Sequence, residues 1–135
     1  MWMPLRSLTL AALLLTAGID LAHTQIVTER VQFAHGSSSA TIQGTLKGDK
    51  TRDDVLGAKA GQTMHVQLTT RSNLYFNVLP PHSDQVIYVG QTQADPHRWS
   101  GTLPRDGEYT IRVYAMGAAR DGARKHNFAC AVSIK

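Results

Sequence analysis

From Arg30 to the C-terminus, apolar residues recur at every second position in short runs, and Gly, Pro, Asn, Asp and Ser separate the runs. A period of two marks half-buried β-strands, whose successive side chains point to opposite faces. Val31 and Phe33 open the series. After the turn His35-Gly36-Ser37-Ser38, residues Ala40, Ile42, Gly44 and Leu46 face one way and Thr41, Gln43 and Thr45 the other. Lys47 to Asp53 reads as a polar loop, Asp54 to Ala58 as a short strand and Ala60-Gly61-Gln62 as a turn. Met64, Val66 and Leu68 then alternate with His65, Gln67 and Thr69 in the clearest amphipathic strand of the chain.

Leu74 to Leu79 reads as a more deeply buried strand, stopped by Pro80-Pro81, which cannot continue a hydrogen-bonded ladder. Val86 to Gly90 is another strand, and Trp99, Gly101 and Leu103 mark a short one leading into the turn Pro104-Arg105-Asp106-Gly107. Tyr109, Ile111, Val113 and Ala115 alternate with Thr110, Arg112 and Tyr114. After a loop from Gly117 to Lys125, residues Phe128, Cys130, Val132 and Ile134 close the series. No stretch of this region shows a helical apolar stripe. The pattern predicts an all-β fold of about eight to nine strands, an antiparallel β-sandwich or a partly open barrel.

The front of the chain follows another rule. Arg6 precedes the apolar run Leu8 to Ala17, which has the length of a secretory signal and falls short of the about 20 apolar residues a membrane-spanning helix needs. The expected organisation is a helical signal peptide over residues 1–22 and one β-sandwich domain over 23–135, exported to the periplasm without a membrane anchor. Cys130 lies far from the cleavage region, so no cysteine there can take a lipid.

The whole chain has 135 residues, 14 Lys and Arg against 10 Asp and Glu, and a net charge of +4. Removing residues 1–22 takes away Arg6 and Asp20 and leaves that balance unchanged. The basic residues are scattered from Arg30 to Lys135, without the concentrated stripe of a nucleic-acid surface. A single cysteine builds neither an internal disulfide nor a Cys-based zinc site.

Candidate chemistry is sparse. The six histidines, at 23, 35, 65, 82, 97 and 126, lack metal-ligand spacing, and H-E-x-x-H is absent. Asp49, Asp53 and Asp54 lie close together, but Lys50 and Arg52 between them favour internal ion pairs over a calcium site. Gly-x-Ser-x-Gly is absent, and Cys130 alternates inward with Phe128 and Val132 as a core residue. Asp106 and Glu108 flank a tight turn rather than forming an acid–base pair. These readings predict a protein that is not an enzyme and holds neither metal nor cofactor. The densest basic cluster is Arg120-Asp121-Gly122-Ala123-Arg124-Lys125-His126, on a loop that a rigid sheet would present.

Several segments carry a family resemblance: Gly36-Ser37-Ser38-Ser39-Ala40, Gly44-Thr45-Leu46-Lys47-Gly48, Ala58-Lys59-Ala60-Gly61-Gln62, Leu103-Pro104 with Gly107-Glu108-Tyr109-Thr110-Ile111-Arg112-Val113, and Val132-Ser133-Ile134-Lys135. In order and spacing the chain resembles the periplasmic inhibitors of goose-type (g-type) lysozyme, small exported β-sandwich proteins of Gram-negative bacteria. Its middle part, from Gly61-Gln62 to Val113, is also similar to the bacterial pre-peptidase C-terminal domain.

The first resemblance implies a muramidase partner whose substrate cleft is plugged by an Arg-bearing loop before the last strand. Glycosidase clefts are lined with carboxylates, with which a guanidinium can pair. Ala119-Arg120 matches that loop, which makes Arg120 the expected primary contact, Arg124 and Lys125 its supporting charge, and the segment from Gly48 to Asp54 a second contact surface. The chain departs from the family pattern twice: Asp49 stands where the family has an aromatic residue, and Gly117 where it has an arginine. The alternative reading is a non-catalytic accessory module that binds cell-envelope polysaccharide or peptide through Tyr75, Tyr88 and Trp99.

Overall fold

The computed structural model describes residues 26–83 and 85–135. The expected signal peptide, residues 1–22, and the first residues of the expected domain lie outside the described residues. Nine strands are described: β1 Ile26–Arg30, β2 Ser39–Lys47, β3 Thr51–Ala58, β4 Thr63–Thr70, β5 Leu74–Leu79, β6 Tyr88–Val89, β7 Arg98–Thr102, β8 Gly107–Ala115 and β9 Lys125–Ile134. They form two open sheets, one of five strands in the order β1-β3-β8-β5-β6 and one of four in the order β2-β9-β4-β7. The sandwich form of the expectation therefore holds.

The alternation that predicts the strands also builds the core. Met64, Val66 and Leu68 of β4 and Phe128, Cys130, Val132 and Ile134 of β9 are buried, and they meet Leu74, Phe76 and Val78 of β5 and Tyr109, Ile111, Val113 and Ala115 of β8. Each large apolar side chain buried this way contributes about 1.5–3 kcal/mol. Tyr109 keeps its polar end satisfied inside that core: its hydroxyl donates to the Arg105 carbonyl at 2.6 Å and accepts from the Arg105 N–H at 3.2 Å, which fixes the turn before β8.

Four local expectations need correction. The first strand runs over Ile26–Arg30, ahead of Val31 and Phe33, and pairs parallel with β3 in an otherwise antiparallel sheet. Its residues are all exposed, so no inward alternation announces it. The polar loop expected over Lys47 to Asp53 shrinks to the turn 48–50, because β3 begins at Thr51. Its charges fit a strand because they are paired: Arg112 of β8 donates to both carboxylate oxygens of Asp53 at 2.8 Å, and Arg52 donates to Asp54 at 3.1 Å. The strand expected over Val86 to Gly90 reduces to Tyr88–Val89, followed by a single 3-10 turn at Gly90–Thr92. The loop from Gly117 to Lys125 contains one helical turn, α1, at Ala118–Asp121, and Lys125 already belongs to β9.

Candidate functional site

Two connections meet at one end of the sandwich. The first is the β2–β3 turn, closed by the Lys50 N–H to the Lys47 carbonyl at 3.1 Å. The second runs from β8 through α1 to β9. It leaves β8 under reciprocal restraint from Asn73, whose carbonyl accepts from the Met116 N–H at 3.1 Å and whose side-chain amide donates to the Met116 carbonyl at 3.0 Å. Gly117 then takes a positive φ of 59°, and its carbonyl receives the N–H groups of Arg120 at 3.1 Å and Asp121 at 3.3 Å. His126 ties the far side down, with Nδ1 2.8 Å from the Ser72 hydroxyl and Nε2 3.2 Å from the Ala119 carbonyl. The carbonyl can only accept, so Nε2 carries a proton in this contact.

Gly48 joins the two connections. Its φ is 57°, and a Cβ placed on it would lie 2.7 Å from the Gly122 carbonyl oxygen. The turn thus rests backbone to backbone on the α1 loop, in a conformation that favours glycine. Between the two lies an open cleft of about 600 Å³ lined by Lys47, Asp49, Lys50, Arg120, Asp121 and Ala123.

The structure therefore brings Arg120 and Asp49 to one cleft. Arg120 is exposed, and among the described residues it makes no ion pair. Arg124 and Lys125 are also exposed but line a different depression, on the outer face of the four-stranded sheet. Of the expected Gly48 to Asp54 surface, only the turn reaches the cleft; Asp53 and Asp54 are buried in β3. Asn73 and Ser72, which hold the α1 loop, have no place in the sequence reading, and His126 enters it only as a member of the basic cluster, not as a tie. The signal for His126 was its parity on β9, two residues before the inward Phe128.

Between the sheets one charged pair, Arg52 with Asp54, is set into the apolar core. Arg52 reaches inward over the Phe128 ring, 5.8 Å from its centroid, beside Gly44, where a Cβ would stand 2.5 Å from the Phe128 ring. Burial pushes the Asp54 carboxyl above its ordinary value, and the Arg52 charge pulls it partly back. Burial likewise pushes the Cys130 thiol up to about 12, the nearby Asp54 adding to the rise, which leaves it protonated and unreactive at neutral pH. Among the described residues no group of three or more His, Cys, Asp or Glu side chains is placed to hold a metal ion.

The three aromatic residues of the alternative reading do not form one surface. Tyr88 is buried, its ring 4.9 Å from Phe76 and 6.1 Å from Trp99, and its hydroxyl donates to the Asp95 carbonyl at 2.8 Å. Tyr75, in the same sheet as Tyr88, lies on its opposite face, stacked on His97 and tilted against Tyr114.

The fold is shared with solved structures. PliG of Aeromonas hydrophila, a periplasmic lysozyme inhibitor of g-type lysozyme, shares 38% identity over 82% of this chain and 98% of its own, with a TM-score of 0.74. The chain belongs to this family. PliG of Salmonella Typhimurium superposes with a TM-score of 0.66 at 19% identity, over 81% of this chain and 98% of that one, and shows the shared fold. The pre-peptidase C-terminal domain of a Bacillus anthracis collagenase shares the architecture more distantly, with a TM-score of 0.55 and 12% identity over 82% of this chain and 95% of that one. No family model matches the chain, and a search of curated proteins finds no match.

Proposed function

We propose that this protein is a non-catalytic periplasmic inhibitor of a g-type muramidase, that residues 1–22 are its export signal, and that it acts by presenting Arg120 to the enzyme's acidic cleft. The observation that carries the reading is the state of Arg120 within a PliG-family fold: an exposed guanidinium without an ion pair among the described residues, on a loop tied at Asn73, Ser72 and Gly48. A loop whose backbone is already ordered loses little freedom on binding, and the planar fork of Arg120 matches a carboxylate in two parallel hydrogen bonds. Asp49 lines the same cleft and sets a limit, because a carboxylate facing an acidic partner is repelled. Arg124 and Lys125, across α1, add positive field around the tip.

The test is lysis of cell walls by g-type lysozyme with and without the protein, expressed as the full chain and recovered from the periplasmic fraction. Inhibition at micromolar protein is expected. Arg120→Ala should weaken it by about 2 kcal/mol or more, roughly thirtyfold, with unfolding stability within about 0.5 kcal/mol of the parent. Absence of inhibition at micromolar protein overturns the assignment; unaltered inhibition by Arg120→Ala overturns the role of the tip.

A further inference from the structure

The outer face of the four-stranded sheet carries a second charged feature, outside the cleft. The outward residues of β9 include the short Ala129 and Ala131, flanked by longer side chains: Gln43 and Thr69 stand beside Ala129, and Thr41 and Gln67 beside Ala131. A trough therefore runs along β9. At the end near α1 it widens into an open depression of about 930 Å³.

The walls and floor of this depression are chemically one-sided. Arg71, Arg124 and Lys125 stand around it, all exposed, and none of its lining residues is Asp or Glu. The same holds for every outward position of β2, β4, β7 and β9. The floor presents Gln43, Thr45, Thr69 and Asn127. Thr45 donates to the Asn127 side-chain carbonyl at 3.0 Å, which orients the amide; among the described residues the Asn127 side-chain nitrogen makes no hydrogen bond.

Cations over a floor of amides and hydroxyls match an anion rich in hydroxyl groups. An acidic protein segment would want an aromatic or aliphatic anchor, and a single-stranded nucleic acid an exposed ring to stack on. The depression offers no exposed Phe, Tyr or Trp: Phe128 is buried beneath it, and the His126 ring is held between the Ser72 hydroxyl and the Ala119 carbonyl. We propose that this depression binds a carboxylated oligosaccharide, with Arg71 and Arg124 pairing with the carboxylates and Gln43, Thr45 and Asn127 exchanging hydrogen bonds with the sugar hydroxyls. The site shares Arg124 and Lys125 with the field around the tip, but Arg71 belongs to the depression alone and Arg120 to the cleft alone.

The test is calorimetric titration of the full chain, recovered from the periplasmic fraction, with oligogalacturonate, with its neutral methyl ester and with poly-glutamate of matched charge. Oligogalacturonate should bind about tenfold or more tighter than either control, and Arg71→Ala should weaken it about tenfold, the scale of one lost charge-assisted contact. Arg71→Ala should still inhibit lysozyme, and Arg120→Ala should still bind oligogalacturonate, so each proposal fails separately. Equal binding of poly-glutamate overturns the saccharide assignment in favour of an acidic peptide. No binding of oligogalacturonate, or binding indifferent to Arg71→Ala, overturns the site.

Discussion

Asp54 accepts a hydrogen bond from Nε of Arg52 at 3.1 Å, two residues back on the same strand, and both side chains point into the space between the sheets. The other carboxylate oxygen of Asp54 is buried and has no hydrogen-bond partner among the described residues. The pair is therefore only half satisfied, in a position where an apolar strand would place two aliphatic side chains.

A half-satisfied buried pair is costly to break and cheap to replace. Asp54→Ala strands the Arg52 guanidinium and should lower unfolding stability by about 3 kcal/mol. The double variant Arg52→Met with Asp54→Leu should return to within about 1 kcal/mol of the parent or exceed it. Urea denaturation of the three proteins measures both. A double variant as unstable as Asp54→Ala would show that the ion pair supplies net stability.

The same carboxylate predicts a pH signature. Burial raises the folded-state value of Asp54 above the ordinary 3.8, so the folded protein binds this proton more tightly than the unfolded chain. Its contribution is fully present below pH 3.8 and is lost as pH rises through the raised folded value. Asp54→Asn cannot titrate. The stability of the parent relative to Asp54→Asn should therefore increase as pH is lowered from 7 toward 4, and a difference independent of pH would contradict the raised value.

These buried charges also explain what the sequence concealed. The alternation of Met64 to Thr69 and the run Leu74 to Leu79 were readable because each residue's face follows from its own polarity. The start of β3 was not, because Thr51 to Asp53 looks like a loop until Arg112, remote in sequence, appears beside Asp53. Strand β1 was hidden because all its residues are exposed and it is held by backbone pairing with β3 and the Arg30–Glu108 ion pair, neither of which leaves a polarity pattern. At the site, Arg120 was legible as a loop cation, but its separation from Arg124 depends on how the chain turns around α1.

Cys130 supplies a probe of the core. With its thiol raised to about 12 and fully buried, it should resist a thiol reagent in the native protein at pH 8 and react at one equivalent in denaturant. Rapid native labelling would mean that β9 opens locally.

Gly48 tests the contact between the two connections. Alanine there faces both a left-handed φ of 57° and a Cβ 2.7 Å from the Gly122 carbonyl oxygen. The expected loss of stability is about 1–2 kcal/mol from the backbone conformation alone. Inhibition should weaken as well, because relief of the clash moves the turn away from α1. The two effects are read by urea denaturation and by the lysozyme assay; a stable, fully active Gly48→Ala would show that the contact is incidental.

His126 decides whether the order of the tip matters. Its ring spans from the Ser72 hydroxyl to the Ala119 carbonyl, so His126→Ala removes both ties from the α1 loop while leaving Arg120 in the sequence. Two lost hydrogen bonds correspond to about 1–3 kcal/mol of stability. Hydrogen exchange at the Arg120 and Asp121 amides, both bonded to the Gly117 carbonyl, should accelerate if the loop loosens. A loosened loop must be ordered again on binding, so inhibition should fall even though the guanidinium is retained. Ser72→Ala removes one tie of the two and should give an intermediate effect on both readouts. Faster exchange with unchanged inhibition would separate the chemistry of Arg120 from its placement and assign the whole effect to its charge.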